Sequence, residues 1–288
     1  MKNKNIKIKN LQNIVFRNDT KKIHLFNNKL SINQSQIKKI INNSENKKIL
    51  FNKNINQNII IKVKEINYKN IQSIYCELLA YKKLKSITNQ NIAKKIKSVL
   101  CNTDEEEYKF LQKDKLNLCK KGYSNIPIII FVLEYKDGKS FYDELQINNS
   151  KNLFIDFIKQ LFFIFYSLSE IGVKYCDLNL NNFLVKKQAT ILNYNIEGFL
   201  VPINVNYFIS LIDMDKVLFG AEMKNQSQKF IIDDILNKDN FFYKILFSLK
   251  QKFSTVINFS ELEAKIFLDN VFSVNQFLEI INNLIFYL

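Results

Sequence analysis

Gly172-Val173-Lys174-Tyr175-Cys176-Asp177-Leu178-Asn179-Leu180-Asn181-Asn182-Phe183-Leu184-Val185 is the stretch on which the reading of this chain turns. Further on comes Ile209-Ser210-Leu211-Ile212-Asp213-Met214-Asp215. An acid, an asparagine five residues later, an apolar strand, then a second acid closing another apolar strand: that order suits phosphoryl transfer. One carboxylate can receive the proton of an attacking hydroxyl, while Asn182 and Asp213 can hold the metal ions that bridge the ATP phosphates. A D-x-x-x-x-N match alone is common by chance. Its placement between an apolar helix and an apolar strand is not.

Around that core the chain has 288 residues, enough to bury a full interior as one two-lobed domain or two small ones. Met1 to Asn10 alternates Lys and Asn with isolated Ile and has no apolar signal core. The most apolar run, Leu161 to Leu168, is far short of the roughly 20 residues a membrane span needs. The expectation is a soluble, cytoplasmic protein without a transmembrane segment. Cys76, Cys101, Cys119 and Cys176 are scattered with no C-x-x-C, and His24 is the single histidine. Zinc ligation, disulfide stapling and histidine-based catalysis are therefore poorly supported.

The formal charge of +15 invites a nucleic-acid partner. Its make-up argues against one. Arg17 is the only arginine, and Lys, Asn and Ile are abundant throughout while Gly, Pro and Trp are scarce or absent, the profile of an AT-rich genome. Arginine is also the usual bidentate reader of phosphate and guanine. A solvated lysine surface is the expectation, with nucleic acid not a partner.

Residues 1 to 34 read as an N-terminal extension. Ile37 to Ile41 and Lys48 to Phe51 flank the polar tip Asn42 to Asn46, which indicates a hairpin, and Asn58 to Lys64 is a third strand. Ile71, Ile74, Leu78 and Tyr81 recur at helical spacing, so Ile71 to Ile87 should be an amphipathic helix. Asn102 to Asn125 is charged and irregular, a loop insertion, and Pro127 to Leu133 reads as a buried strand. Beyond Glu134 helices take over. Leu153 to Ile171 is apolar nearly all round, with Gly172 placed to end it. Phe183 to Val185 and Phe208 to Ile212 are read as short strands with a hairpin insertion, Ile196 to Pro202, between them. Phe241 to Leu249 and Leu262 to Leu288 are read as closing helices. Strands first, helices after: a segregated α+β chain.

These pieces together resemble the eukaryotic-type protein kinase fold over about residues 37 to 250. The resemblance implies a bilobal α+β fold, with a small β-rich N-lobe holding one main helix at 35–133 and a larger, mostly helical C-lobe at 134–288. Lys62, after Ile60-Ile61, resembles the ATP-binding lysine, with Lys64 the runner-up, and Glu77 resembles its helix partner. Phe131 to Ser140 is similar to a kinase hinge, whose backbone at Glu134, Tyr135 and Lys136 would bond adenine. By the same match Asp177 is the proton acceptor, Asn182 and Asp213 are the magnesium ligands, and Asp239 resembles the aspartate that braces the catalytic loop. ATP and Mg²⁺ are the implied cofactors and a protein the implied substrate. The long stretch from Phe183 to Asp213, with its proline hairpin, is similar to haspin-like and poxvirus-type serine/threonine kinases.

The chain also departs from that pattern. No glycine precedes Gly122, so the phosphate-covering loop would be Asn42 to Asn46 without glycine's freedom for close backbone approach. Tyr175-Cys176 stands for His-Arg, Met214-Asp215 for Phe-Gly, and Asn179 for a lysine usual in protein-serine kinases. No Ala-Pro-Glu follows Asp213. Three readings stay open: a serine/threonine protein kinase, a pseudokinase binding module, and a small-molecule or sugar kinase of the same fold. Bacterial lipopolysaccharide sugar kinases share a similar Asp-Leu-Asn and Ile-Asp-x-Asp pattern.

Overall fold

The computed structural model describes residues 37–44, 47–53, 58–66, 69–101, 128–223, 226–254, 257–268, 271 and 273–283. The expected extension at 1–34 and loop insertion at 102–125 lie outside the described residues. Two compact units are formed, one reaching Tyr81 and resuming over Lys94–Tyr135, the other comprising Lys82–Ala93 and the chain from Lys136 onward.

The first unit is built on a five-stranded antiparallel sheet of order β1-β2-β3-β5-β4, with β1 Ile37–Ser44, β2 Lys47–Lys53, β3 Asn58–Glu65, β4 Lys95–Cys101 and β5 Ile128–Glu134. β5 is paired on both edges, to β3 and β4. Consecutive residues Ile129, Ile130 and Phe131 are buried, and Leu133 with them, so both faces of the strand are covered and it can be apolar along its length. β-branched residues dominate β3, as a pleated surface favours. The β1–β2 ladder runs down to Ser44↔Lys47. Most of the expected loop Asn42 to Asn46 is therefore strand, and residues 45 and 46, between the strands, lie outside the described residues. Helix α1, Ile71–Lys83, buries Ile74, Glu77, Leu78, Ala80 and Tyr81 at helical spacing and ends in a 3₁₀ turn at Leu84–Ser86.

At the centre of the second unit is α3, Lys151–Glu170, which follows the short strand β6, Lys139–Ser140, and helix α2, Phe141–Ile147. Ser150 caps α3 by accepting the Leu153 N–H at 3.3 Å. At its far end Gly172 takes φ +64°, where an added Cβ would meet the Gly220 carbonyl oxygen at 2.7 Å. Only glycine fits there. Long and apolar enough to cross a membrane by composition, α3 is instead buried on most sides, as a core helix is. Its rings stack in pairs, Phe157 on Phe141, Phe162 on Phe277 and Phe163 on Tyr194, each at 3.9 Å between centroids.

One long hairpin lies against α3: β8 Phe183–Ile196 and β9 Phe199–Leu211. The sequence reading of two short strands around a separate hairpin is corrected here. Leu192, Tyr194, Ile196, Ile203, Val205, Tyr207 and Ile209 alternate into the core, so the pleat continues through the supposed insertion. Glu197 and Gly198 both take positive φ, as a two-residue type I′ turn needs. Polar side chains fix the hairpin to the helix. Asp156 Oδ2 accepts the N–H groups of Asn206 and Tyr207 at 2.7 and 2.9 Å, and Gln160 bonds Tyr207 and Ile209.

Strands β7, Val173–Tyr175, and β10, Val217–Phe219, pair antiparallel. Beyond them lie α4 Gln228–Leu236, α5 Phe241–Ser248, α6 Lys250–Phe253, α7 Phe259–Glu263 and α8 Val274–Asn282. The closing helix expected over Leu262 to Leu288 is divided, because a π-helical turn at Ala264–Leu268 precedes Ser273, whose side chain caps α8. The result is the expected α+β division: a smaller sheet-bearing unit with one main helix and a larger, mostly helical unit.

Candidate active site

In the first unit, Lys62 and Lys64 stand two residues apart on β3 and so share a face of the sheet. Glu77 comes from the middle of α1 and is wholly buried. Its two carboxylate oxygens divide the lysines: Lys62 Nζ donates to Oε1 at 2.6 Å and Lys64 Nζ to Oε2 at 2.7 Å. Lys62, itself 2% exposed, also lies over the Phe131 ring at 5.9 Å. The choice between the two lysines, open in the sequence, is a shared carboxylate in the structure.

Glu134 closes β5, and its N–H is committed to the Lys94 carbonyl at 2.8 Å. That donor is not available to adenine. Tyr135 ends the first unit and Lys136 resumes the second, both outside any strand or helix.

The second unit gathers the acid and amide groups. β7 leads into the loop at Cys176, and a 3₁₀ turn at Leu180–Asn182 delivers the chain into β8. Pairing of Phe183 with Leu211 then fixes what lies just outside the ladder. The Ile212 N–H donates to the Asn182 carbonyl at 3.0 Å, so Asp213 follows a residue bonded directly to Asn182. The Asn182 amide is locked as well: Nδ2 donates to Tyr175 Oη at 3.1 Å and to Asp177 Oδ2 at 2.9 Å. Its Oδ1 is left for another partner. Asp213 Oδ1 accepts the Asp215 N–H at 3.1 Å, a turn that orients the carboxylate.

Asp177 is buried and takes three donors. Oδ1 accepts the Asn179 N–H at 3.1 Å and Lys216 Nζ at 3.2 Å, while Oδ2 accepts from Asn182. A carboxylate offers about four lone-pair sites, so one remains on Oδ2. The phenol of Tyr175 is pushed well above its usual range, first by burial and further by the charges of Asp177, Asp213 and Asp215, against the Asn182 hydrogen bond. It stays protonated. Cys176 donates its N–H to the Lys216 carbonyl at 2.9 Å, and burial raises its thiol, so it is no ready thiolate. Met214 is buried, between the half-buried acids Asp213 and Asp215.

The structure thus brings Asp177 and Asn182 into contact, with Asp213 next to Asn182's backbone partner, and joins Lys62 to Glu77. Asp239 is different. It is exposed, its N–H donates to Asn237 Oδ1 at 2.8 Å, and among the described residues no hydrogen bond or ion pair joins its carboxylate to the loop. Asp234 on α4 pairs instead with Lys174, three residues before Asp177, at 3.2 Å. Tyr175 and Lys216 were not legible as site residues. Tyr175 reads as packing, which it also is, at the edges of Phe165 and Phe183. Lys216 is hidden among so many lysines; its position three residues past Asp213 was the only signal.

No protein-family profile and no characterised protein matches the chain by sequence. Among solved structures it is similar to the PF14_0431 kinase domain, at TM-score 0.43 and 16% identity, covering 71% of this chain and 60% of that one. It is also similar to the BubR1 kinase domain, at TM-score 0.40 and 14% identity over 64% of this chain and 47% of the other. The chain spans less than two thirds of the length of either. The order of its elements, a five-stranded antiparallel sheet with one main helix followed by a mostly helical unit, is that of a segregated α+β fold.

Proposed function

We propose that this chain is an ATP- and magnesium-dependent phosphotransferase whose acceptor is a serine or threonine hydroxyl of a protein. The observation that carries the reading is the join of Asn182 to Asp177 by its amide and to Ile212, the residue before Asp213, by its backbone. When bound, Mg-ATP supplies the electrophilic phosphorus and the charge neutralisation of the leaving group. The donor set suits that ion: Asn182 Oδ1 and the Asp213 carboxylate are hard oxygen ligands of the kind magnesium takes. Lys62, held by Glu77, would engage the phosphates, and the backbone at Tyr135 and Lys136 the adenine. Asp177 would receive the acceptor's proton at the remaining site on Oδ2. Asn182 holds that carboxylate in one rotamer, and Tyr175, unable to ionise, holds Asn182. Serine or threonine of a protein is the acceptor class that the resemblance to haspin-like and poxvirus-type kinases implies, although Asn179 departs from the lysine usual in protein-serine kinases.

One observation favours a second reading, a nucleotide-binding module without turnover. The β1–β2 hairpin is paired to within two residues of its tip and carries no glycine, so it offers little backbone freedom for covering phosphates. The deciding experiment gives the purified chain γ-labelled ATP with a protein lysate, a panel of sugars, and no acceptor. Label in protein bands at hydroxyl residues supports the proposal. Label in sugars moves the acceptor class, and Mg-ATP binding with no transfer anywhere leaves only the binding module.

A further inference from the structure

We propose that Lys216 is a further catalytic residue, the cation that faces the phosphoryl group while it is transferred. This rests on the phosphotransferase reading above. Between Tyr175 and Asn182 the loop is Cys, Asp, Leu, Asn, Leu, Asn, with no cation of its own. Asn179 is occupied as a cap, its Oδ1 accepting the Asn181 N–H at 3.0 Å. The acids Asp177, Asp213 and Asp215 all act on the Tyr175 phenol, so the neighbourhood is anionic. Beside Asp177 the loop's own side chains offer no cation to charge that grows on the transferred group's oxygens. Lys216 meets the need. Its carbonyl accepts the Cys176 N–H at 2.9 Å and the next residue, Val217, pairs with Tyr175. The backbone is thereby pinned beside the loop, and the ammonium reaches Asp177 Oδ1 at 3.2 Å.

Folding stability does not account for this contact. The Lys216 side chain is 66% exposed, and an ion pair with so open a partner adds little to stability. A lysine stem is flexible and its charge is a compact point, so it could leave Asp177 for an oxygen of the phosphoryl group. The move has two consequences. It places a positive charge where negative charge develops, and it relieves the Asp177 carboxylate of one of its three donors as the acceptor's proton arrives at Oδ2. The balance is simple: the acceptor oxygen gains a bond to phosphorus, the bridging oxygen keeps the electron pair of the bond that breaks, and the hydroxyl proton goes to Asp177.

The test compares wild type, Lys216→Met and Lys216→Arg in two measurements. The first is steady-state transfer, giving kcat and the KM for Mg-ATP. The second is calorimetric binding of a non-hydrolysable ATP analogue and of ADP with aluminium fluoride, a mimic of the group in flight. Lys216→Met should lower kcat about 10²-fold. It should leave the KM and analogue affinity within about twofold and abolish the preference for the fluoride complex. Lys216→Arg should recover most of both. If wild type is active and Lys216→Met matches it in kcat and in fluoride-complex binding, the inference fails while the phosphotransferase reading stands. A variant that loses analogue affinity and melting temperature along with kcat marks a structural role and also overturns it. If wild type transfers no phosphate to any acceptor, the parent reading fails and takes this one with it.

Discussion

The N–H of Ile212 donates to the carbonyl of Asn182 at 3.0 Å, and this bond outside the end of the β8–β9 ladder seats the amide and the second acid side by side. Nearly thirty residues of hairpin intervene in sequence. The strand register closes that distance without needing any contact between the two side chains themselves. Two residues far apart in the chain are thereby joined through the backbone as one candidate metal site.

The two acids should separate chemistry from binding. Asp177→Asn keeps the loop's hydrogen bonds from Asn179 and Lys216 in reach but removes the proton acceptor, so transfer should fall about 10²–10⁴-fold. Nucleotide affinity should be near wild type. Asp213→Asn weakens a metal ligand and should lower Mg-ATP affinity and turnover together. Calorimetry beside a transfer assay reads both, and equal transfer by Asp177→Asn and wild type would show the catalytic loop to be misassigned.

Tyr175→Phe should act through Asn182. The ring keeps its packing against Phe165 and Phe183, so the fold should hold. Loss of the 3.1 Å bond to Asn182 frees the amide to rotate, and the magnesium concentration for half-maximal activity should rise about tenfold. An unchanged magnesium titration would mean that the phenol does not orient the ligand.

Glu77→Gln should be costly in a way that surface acids are not. It leaves two buried ammonium groups, Lys62 and Lys64, with an amide in place of their shared carboxylate. The loss should be about 3 kcal/mol or more in urea unfolding. Adding Lys62→Met and Lys64→Met to the series assigns the nucleotide contact: the lysine that engages phosphate is the one whose loss weakens Mg-ATP binding the more.

Asp156→Asn tests the junction between α3 and the hairpin. Burial holds this carboxyl above its ordinary 3.8, despite the lowering hydrogen bonds from Asn206 and Tyr207 and the charge of Lys159. The native state thus keeps a proton that the unfolded chain has lost, and wild-type stability should fall as pH rises from 3.8 through the native value. The amide can accept the same two N–H groups and does not titrate. The stability of Asp156→Asn relative to wild type should therefore increase with pH across that window, and a difference independent of pH would refute the assignment.

Ser227→Ala should leave the transfer rate unchanged. Ser227 is the only hydroxyl residue between Asp213 and Asp239, and it stands before α4 without a side-chain capping bond. The residue ahead of Asp177 is Cys176, which cannot form the charge-assisted pair that an arginine makes with a phosphorylated segment. A large fall in rate on substitution would show that phosphate at this serine matters.

Local pattern alone determined much of this protein. β-branched runs gave β3 and β5, and helical spacing gave α1. The apolar surround of Leu153 to Ile171 gave α3, and Gly172 ended it where only a residue without Cβ fits. The order of acid, asparagine and acid was visible for the same reason, since a 3₁₀ turn and a strand end place those residues through short-range backbone geometry. What the tertiary structure alone decided depends on contacts between distant residues. It joined two supposed short strands into one hairpin, because alternate residues found a core on α3. It gave Glu77 both lysines, left Asp239 in solvent, and brought Lys216 from the far side of that hairpin to Asp177. A lysine among dozens carries no mark of its partner in sequence; only the pairing of β10 with β7 selects the one whose ammonium reaches the acid.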